Sequence, residues 1–173
     1  MIVGRKLQLL KVGKFSSPSR AMAFLGVKQG ESWLRVGTTF AVFTTAATAA
    51  FMYFGYQSKL AAVHVNVWLL AFVIAIPLSA LNAFNEELIT RWSIAEAAHE
   101  AGLDKFAPWV SAAVFGTAHF FGIPGGPIGS LMAGFLAWLL SRSIQDTRGI
   151  GWAVALHFLQ DVIILTVAIG VAL

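Results

Sequence analysis

Residues 60–92 read "LAAVHVNVWLLAFVIAIPLSALNAFNEELITRW", a long apolar run that ends in charged residues. Its first 26 residues, Leu60 to Asn85, include no Asp, Glu, Lys or Arg. About 20 apolar residues are enough for a helix to cross a bilayer, so this run predicts a membrane span. Glu86 and Glu87 follow directly, at a depth where ionisable side chains are costly unless they face the interior of a bundle. The stretch therefore predicts a membrane-spanning helix with a functional polar group at its end.

The composition of the whole chain is that of an integral membrane protein. Of its 173 residues, 58% are hydrophobic and only 12% are charged, and the mean hydropathy is +0.76. The longest uncharged stretch is broken by "PGGP" at residues 124–127, which predicts a tight turn between two shorter spans. We therefore predict an all-α fold, a polytopic transmembrane helical bundle of about five spans over residues 36–173. The other spans fall in the stretches Val36–Ser58, Phe106–Ser141 and Gly149–Leu173.

The charges are divided unevenly along the chain. Residues 1–35 contain seven Lys or Arg residues and one Glu, whereas the remainder has a net charge of −2. Because basic residues before a first span favour the cytoplasmic side, we predict that this segment is cytoplasmic or interfacial. The compact size favours a prokaryotic cytoplasmic membrane, and we predict the lipid bilayer but no nucleic acid as a partner. The chain has no cysteine, which excludes disulfides and a cysteine nucleophile.

Two carboxylates at the end of the quoted stretch have different predicted roles. Glu87 and Arg91 are four residues apart, on one helical face and in the order that favours an ion pair. Glu86 is rotated from Glu87 by about 100° on a helix, so it can point toward the bundle without an adjacent cation of its own. Glu87 is therefore predicted to hold Arg91, and Glu86 is the carboxylate that is free to act as a base.

Two histidines complete the list of candidate site residues. His119 follows Phe115 by four residues, and Asp161 follows His157 by four, so each pair lies on one helical face. A carboxylate and two imidazoles from three helices can converge on one water molecule, which suggests hydrolysis. The structural alternative is that Glu87 and Arg91 only mark a helix end, while His157 and Asp161 form a buried contact between helices.

A short helix is predicted after the charged cluster. Ser93 and Glu96 have the spacing of a capping box, which predicts an amphipathic helix that starts there and ends near Gly102. His99 lies within it without the second histidine of a zinc-binding motif. We interpret this segment as structural.

Three motifs, "EELITR", "FGTAH" and "HFLQD", occur in this order between Glu86 and Asp161. They resemble the signatures EExxxR, FxxxH and Hxxx(N/D) of the CPBP family, the CAAX proteases and bacteriocin-processing enzymes that include the Ras-converting CAAX prenyl endopeptidases. The resemblance implies an intramembrane endopeptidase with its motif core at residues 86–161. It implies that Glu86 activates water with help from His119.

The resemblance also implies roles for the remaining motif residues. Glu87 and Arg91 resemble the supporting ion pair, and His157 with the residue four later resembles the pair that stabilises the oxyanion. Phe115 is expected to shape the pocket around His119.

The chain departs from the family pattern at two positions. Position 161 is Asp, whereas the prenyl endopeptidases generally have Asn there, and an ionised carboxylate cannot donate a hydrogen bond to an oxyanion. Asp161 must therefore be protonated, orient His157 or bind a metal. Trp92 stands where glycine is frequent and is expected to narrow the approach to Glu86.

The sequence leaves more than one possibility open for the cofactor and for the activity. We predict no required cofactor, but Glu86, His119, His157 and Asp161 form an N/O ligand set that suits zinc if a metal is present. The leading hypothesis is hydrolysis of a peptide bond in a membrane-associated protein or peptide. The alternative is a non-catalytic membrane subunit with this fold, which acts as a partner or assembly element of a larger membrane complex.

Overall fold

The computed structural model describes residues 10–123 and 125–173, and helices dominate both parts. No β-strand occurs among these residues, which confirms the prediction of an all-α fold. The helices are α1 (Trp33–Leu60), α2 (Val65–Glu87), α3 (Ser93–Glu100), α4 (Ala107–Ala118), α5 (Gly126–Thr147) and α6 (Gly151–Ala172).

Within the described residues, four segments are long and apolar enough to cross a membrane: α1, α2 with its continuation through α3, α5 and α6. The predicted helical membrane bundle is therefore confirmed. The remaining expected span, α4, has 12 residues; at 1.5 Å per residue it covers about 18 Å, less than the hydrocarbon core.

Helix α2 packs on α6 through a stripe of small residues. Ala71, Ala75, Ser79 and Ala83 follow one another at four-residue intervals and are fully buried. Small side chains let two membrane helices approach closely. The next position in this register is Glu87, which is also fully buried. The stripe thus carries one of the two adjacent carboxylates into the bundle interior.

Helix α4 is held tightly against α5. A Cβ atom added at Gly116 would lie 2.9 Å from the Ser130 carbonyl oxygen and 3.2 Å from the Cα atom of Gly134. The Ser130 hydroxyl donates to the Gly116 carbonyl at 2.5 Å. Only glycine permits this approach, which sets the position of Phe115 beside it.

The described part of the basic segment is packed against the bundle. The amide of Ile150 donates to the Lys11 carbonyl at 2.8 Å. The Arg20 side chain donates to the buried Asp146 carboxylate at 2.5 Å, and the Trp33 indole donates to the same carboxylate at 3.0 Å. The segment 10–32 is therefore joined to the end of α5; residues 1–9 lie outside the described residues.

One local prediction differs from the structure. Ser93 does not cap a new helix, because α2 continues through a π-helical turn, Leu88–Trp92, directly into α3. The Ser93 hydroxyl donates instead to the Ile89 carbonyl, a contact that belongs to a helix interior. At the Gly/Pro turn, α5 begins at Gly126 with a left-handed φ of 69°, and Pro124 lies outside the described residues.

Candidate active site

Glu87 lies between a cation and an imidazole. Its Oε1 atom is 3.3 Å from Nη2 of Arg91 and accepts a hydrogen bond of 2.7 Å from Nδ1 of His157. Glu87 and Arg91 are fully buried, and His157 is 3% exposed. Glu87 therefore links Arg91 of the π-helical turn to His157 of α6 and sets the orientation of the His157 ring. The spacing of Glu87 and Arg91 did not predict the contact with His157.

Phe115 is the apolar centre of the cluster. The Arg91 guanidinium carbon lies 3.5 Å from the centre of the Phe115 ring, a cation–π contact. The His119 ring lies 4.0 Å from the same centre, and the His157 ring meets it edge-on at 5.6 Å. One aromatic ring from α4 thus contacts the arginine of the π-helical turn and both histidines.

Glu86 faces the other side of the His157 ring. Its Oε2 atom lies 3.5 Å from Nε2 of His157, and Oδ1 of Asp161 lies 3.4 Å from the same nitrogen. Oε2 is buried, although the whole Glu86 side chain is 34% exposed, and it has no hydrogen-bond partner among the described residues. Glu86 therefore presents a carboxylate oxygen that no protein donor occupies, next to an imidazole.

Asn82 belongs to this cluster, although sequence analysis did not single it out. Its Nδ2 atom donates to Oδ2 of Asp161 at 3.0 Å. Asn82 precedes Glu86 by four residues, so both lie on one face of α2. The four-residue spacing from Glu86 is the sequence feature that would have identified Asn82.

The His119 ring is held by its own helix. Its Nδ1 lies 3.0 Å from the Phe115 carbonyl oxygen. Because a carbonyl only accepts, Nδ1 carries the proton in this contact, and Nε2 of the neutral ring is an acceptor. This tautomer is the one that can accept a proton or hydrogen bond from a water molecule.

His119, His157 and Asp161 are among the polar residues that line a cavity of about 400 Å³. Other walls come from α1 and α5 and include Phe40, Phe43, Ala47, Met132 and Phe135. The contribution of α1 was not predicted, because no motif marks this helix. Its position is fixed by Gln160 of α6, which accepts from Thr48 at 2.7 Å and donates to Thr44 at 3.1 Å.

Two expectations for the site receive no support from the geometry. Trp92 lines a second cavity of about 460 Å³, with Arg20 and Asp146, and packs against the hydrophobic core. Its effect on the approach to Glu86 stays a prediction. Across residues 10–123 and 125–173, no group of three His, Asp or Glu side chains is arranged to hold a metal ion. The geometry gives no support to zinc.

Comparison with known proteins agrees with the motifs. Residues 66–163, more than half of the chain, match the family described as type II CAAX prenyl endopeptidase Rce1-like. This range includes the whole cluster from Asn82 to Asp161. No curated protein and no solved structure matches the chain. On the family match, this integral membrane protein belongs to the Rce1-like family of type II CAAX prenyl endopeptidases.

Proposed function

We propose that the protein is an intramembrane endopeptidase that hydrolyses a peptide bond of a membrane-associated protein or peptide. The observation that carries this proposal is the position of Oε2 of Glu86, which lies 3.5 Å from Nε2 of His157 and has no hydrogen-bond partner among the described residues. Ionisable side chains within a membrane-spanning bundle are usually functional. Family membership supports the same reaction.

In the proposed reaction Glu86 is the general base. It removes a proton from a water molecule, and the resulting hydroxide attacks the carbonyl carbon of the scissile bond. Negative charge then develops on the carbonyl oxygen. In this proposal His157 is the doubly protonated imidazolium, with Nδ1 donating to Glu87 and Nε2 facing Glu86 and Asp161, and it donates its Nε2 proton toward the developing charge. When the C–N bond breaks, protonated Glu86 returns its proton to the leaving nitrogen. The carboxylate is thereby regenerated without a covalent intermediate.

The neighbouring residues support these roles. Glu87 holds Nδ1 of His157, so the opposite nitrogen of the ring faces Glu86 and Asp161. His119 offers Nε2 as an acceptor and would help to hold the water. Arg91 compensates the buried charge of Glu87, so that this carboxylate orients His157 and does not take part in proton transfer.

The apolar cavity is proposed to receive the substrate beside the scissile bond. Ala47 is an exposed residue of α1 that lines the cavity, whereas the adjacent Ala46 is equally exposed and does not. We expect Ala47→Trp to lower kcat/KM at least about tenfold, the effect of a mismatch in an apolar pocket. Ala46→Trp is the matched control. Equal activity of the two variants would contradict a role of the cavity in substrate binding.

The proposed orientation places the N-terminus in the cytoplasm of a prokaryotic cell. The chain contains no cysteine, so Lys59→Cys and Lys105→Cys each introduce a single reactive thiol at an exposed position. A membrane-impermeant maleimide should label Lys59→Cys in intact cells and Lys105→Cys only after permeabilisation. The opposite labelling pattern would show that the protein has the reverse orientation in the membrane.

The function is tested by cleavage in proteoliposomes. The purified protein is incubated with a library of lipid-anchored peptides, and the products are identified by mass spectrometry. We expect paired fragments from one type of bond. Intact peptides in the presence of folded protein would overturn the proposal and favour the non-catalytic membrane subunit.

A further inference from the structure

We propose that Asn82 is a positioning residue that fixes Asp161 and, through it, Nε2 of His157; this inference rests on the proposed function. Asn82 lies on α2, one turn before Glu86, and reaches across to α6. It is outside the three motifs that carry the family resemblance.

The two oxygens of Asp161 have separate partners. Oδ2 accepts from Nδ2 of Asn82 at 3.0 Å, and Oδ1 lies 3.4 Å from Nε2 of His157. Since Oδ2 accepts from the amide, rotation of this buried carboxyl group about its Cβ–Cγ bond would break that hydrogen bond. Asn82 thereby keeps Oδ1 directed at the imidazole.

The contact explains how Asp is accommodated at position 161. A carboxylate there cannot donate a hydrogen bond, whereas a carboxamide has two N–H donors and one acceptor. Asn82 supplies a carboxamide from the neighbouring helix, next to this carboxylate. The pair Asn82 and Asp161 thus combines an amide donor with a carboxylate next to His157.

His157 is consequently held at both ring nitrogens. Glu87 accepts from Nδ1 at 2.7 Å, while Asp161 and Glu86 lie 3.4 and 3.5 Å from Nε2. Loss of the Asn82 amide would free Asp161 to leave Nε2 without changing the contact at Nδ1. Replacement of Asn82 is therefore expected to alter the surroundings of Nε2 of His157 and to leave those of Nδ1 unchanged.

The test observes this nitrogen directly, without a substrate. The full chain, labelled with ¹⁵N in the histidine rings, is placed in nanodiscs, and the His157 signals are assigned by their loss in His157→Gln. We expect a protected Nε2–H signal in the original protein and in the control Ser79→Ala, which alters the same helix one turn away. In Asn82→Ala this signal should be lost to exchange with water while the Nδ1–H signal persists.

An exchange of the two side chains provides the rescue. Asn82→Asp alone places two carboxylates together and should lose the Nε2–H signal. The double variant Asn82→Asp with Asp161→Asn rebuilds the hydrogen bond in the opposite direction and should recover it. An unchanged signal in Asn82→Ala, or no recovery in a folded double variant, would overturn the proposal.

Activity provides a second readout that a purely structural contact would not produce. For Asn82→Ala we expect kcat to fall about 10- to 100-fold, the usual effect of removing a hydrogen bond that orients a functional side chain, with KM unchanged. The double variant should recover most of this loss. If the original protein cleaves no peptide, the endopeptidase proposal fails, while the histidine signals still decide the role of Asn82.

Discussion

Replacement of Glu86 by Gln should reduce hydrolysis about 10³-fold, within the range that a general base contributes. Gln keeps the size of the side chain but cannot accept the proton of a water molecule, so the attacking hydroxide is not formed. The fold should tolerate the change, because Oε2 of Glu86 has no hydrogen-bond partner among the described residues. The measurement is kcat/KM for a lipid-anchored peptide in proteoliposomes, with the unfolding temperature recorded in parallel.

Glu96→Gln is the matched control for this prediction. Glu96 lies on α3 and lines the second cavity, away from the His157 cluster. It carries the same functional group on the same continuous helical segment. Similar activity of Glu86→Gln and the original protein would show that Glu86 is not the general base. Equal losses in both variants would indicate a general effect of charge instead.

Replacement of Glu87 by Ala should affect both stability and activity. Arg91 would lose its carboxylate partner while fully buried, and removal of one member of a buried ion pair typically costs about 3–5 kcal/mol in the free energy of unfolding. Nδ1 of His157 would also lose its acceptor. We expect a lower unfolding temperature and the loss of measurable hydrolysis.

The two effects of Glu87 can be separated by a double variant. Glu87→Leu with Arg91→Met removes both buried charges and should regain most of the lost stability, as apolar replacements of buried ion pairs often do. Hydrolysis should not return, because no acceptor orients His157. Recovery of hydrolysis in this variant would show that Glu87 acts only as the partner of Arg91.

The membrane class and the helical bundle were predictable because both follow from composition and span length. The relation between Glu86 and Glu87 was also predictable in outline, since neighbouring helical positions diverge by about 100°. The small residues from Ala71 to Ala83 decide which of the two carboxylates is buried. They recur every four residues on the buried face of α2, and the next position on that face is Glu87. Helical spacing alone indicates which side chains share a face, and packing decides which face is inside.

Other parts of the site depend on contacts between distant segments. The bond from Asn82 to Asp161 joins α2 to α6, and the spacing of the motifs contains no information about it. Helix α1 forms a cavity wall because Gln160 binds its threonines. Ser93 was misassigned as a cap because the pattern of a capping box does not distinguish a new helix from a π-helical turn within a longer one.

The most direct test of water activation by Glu86 is a single-turnover reaction in H₂¹⁸O with enzyme in excess over the lipid-anchored peptide. If Glu86 acts as a base, the attacking oxygen comes from solvent, and the new carboxyl group should contain ¹⁸O in the first turnover. If Glu86 instead attacks the carbonyl carbon and the resulting anhydride is hydrolysed at the Glu86 carbonyl, the first-turnover product would contain unlabelled oxygen from the protein. This result would contradict the mechanism.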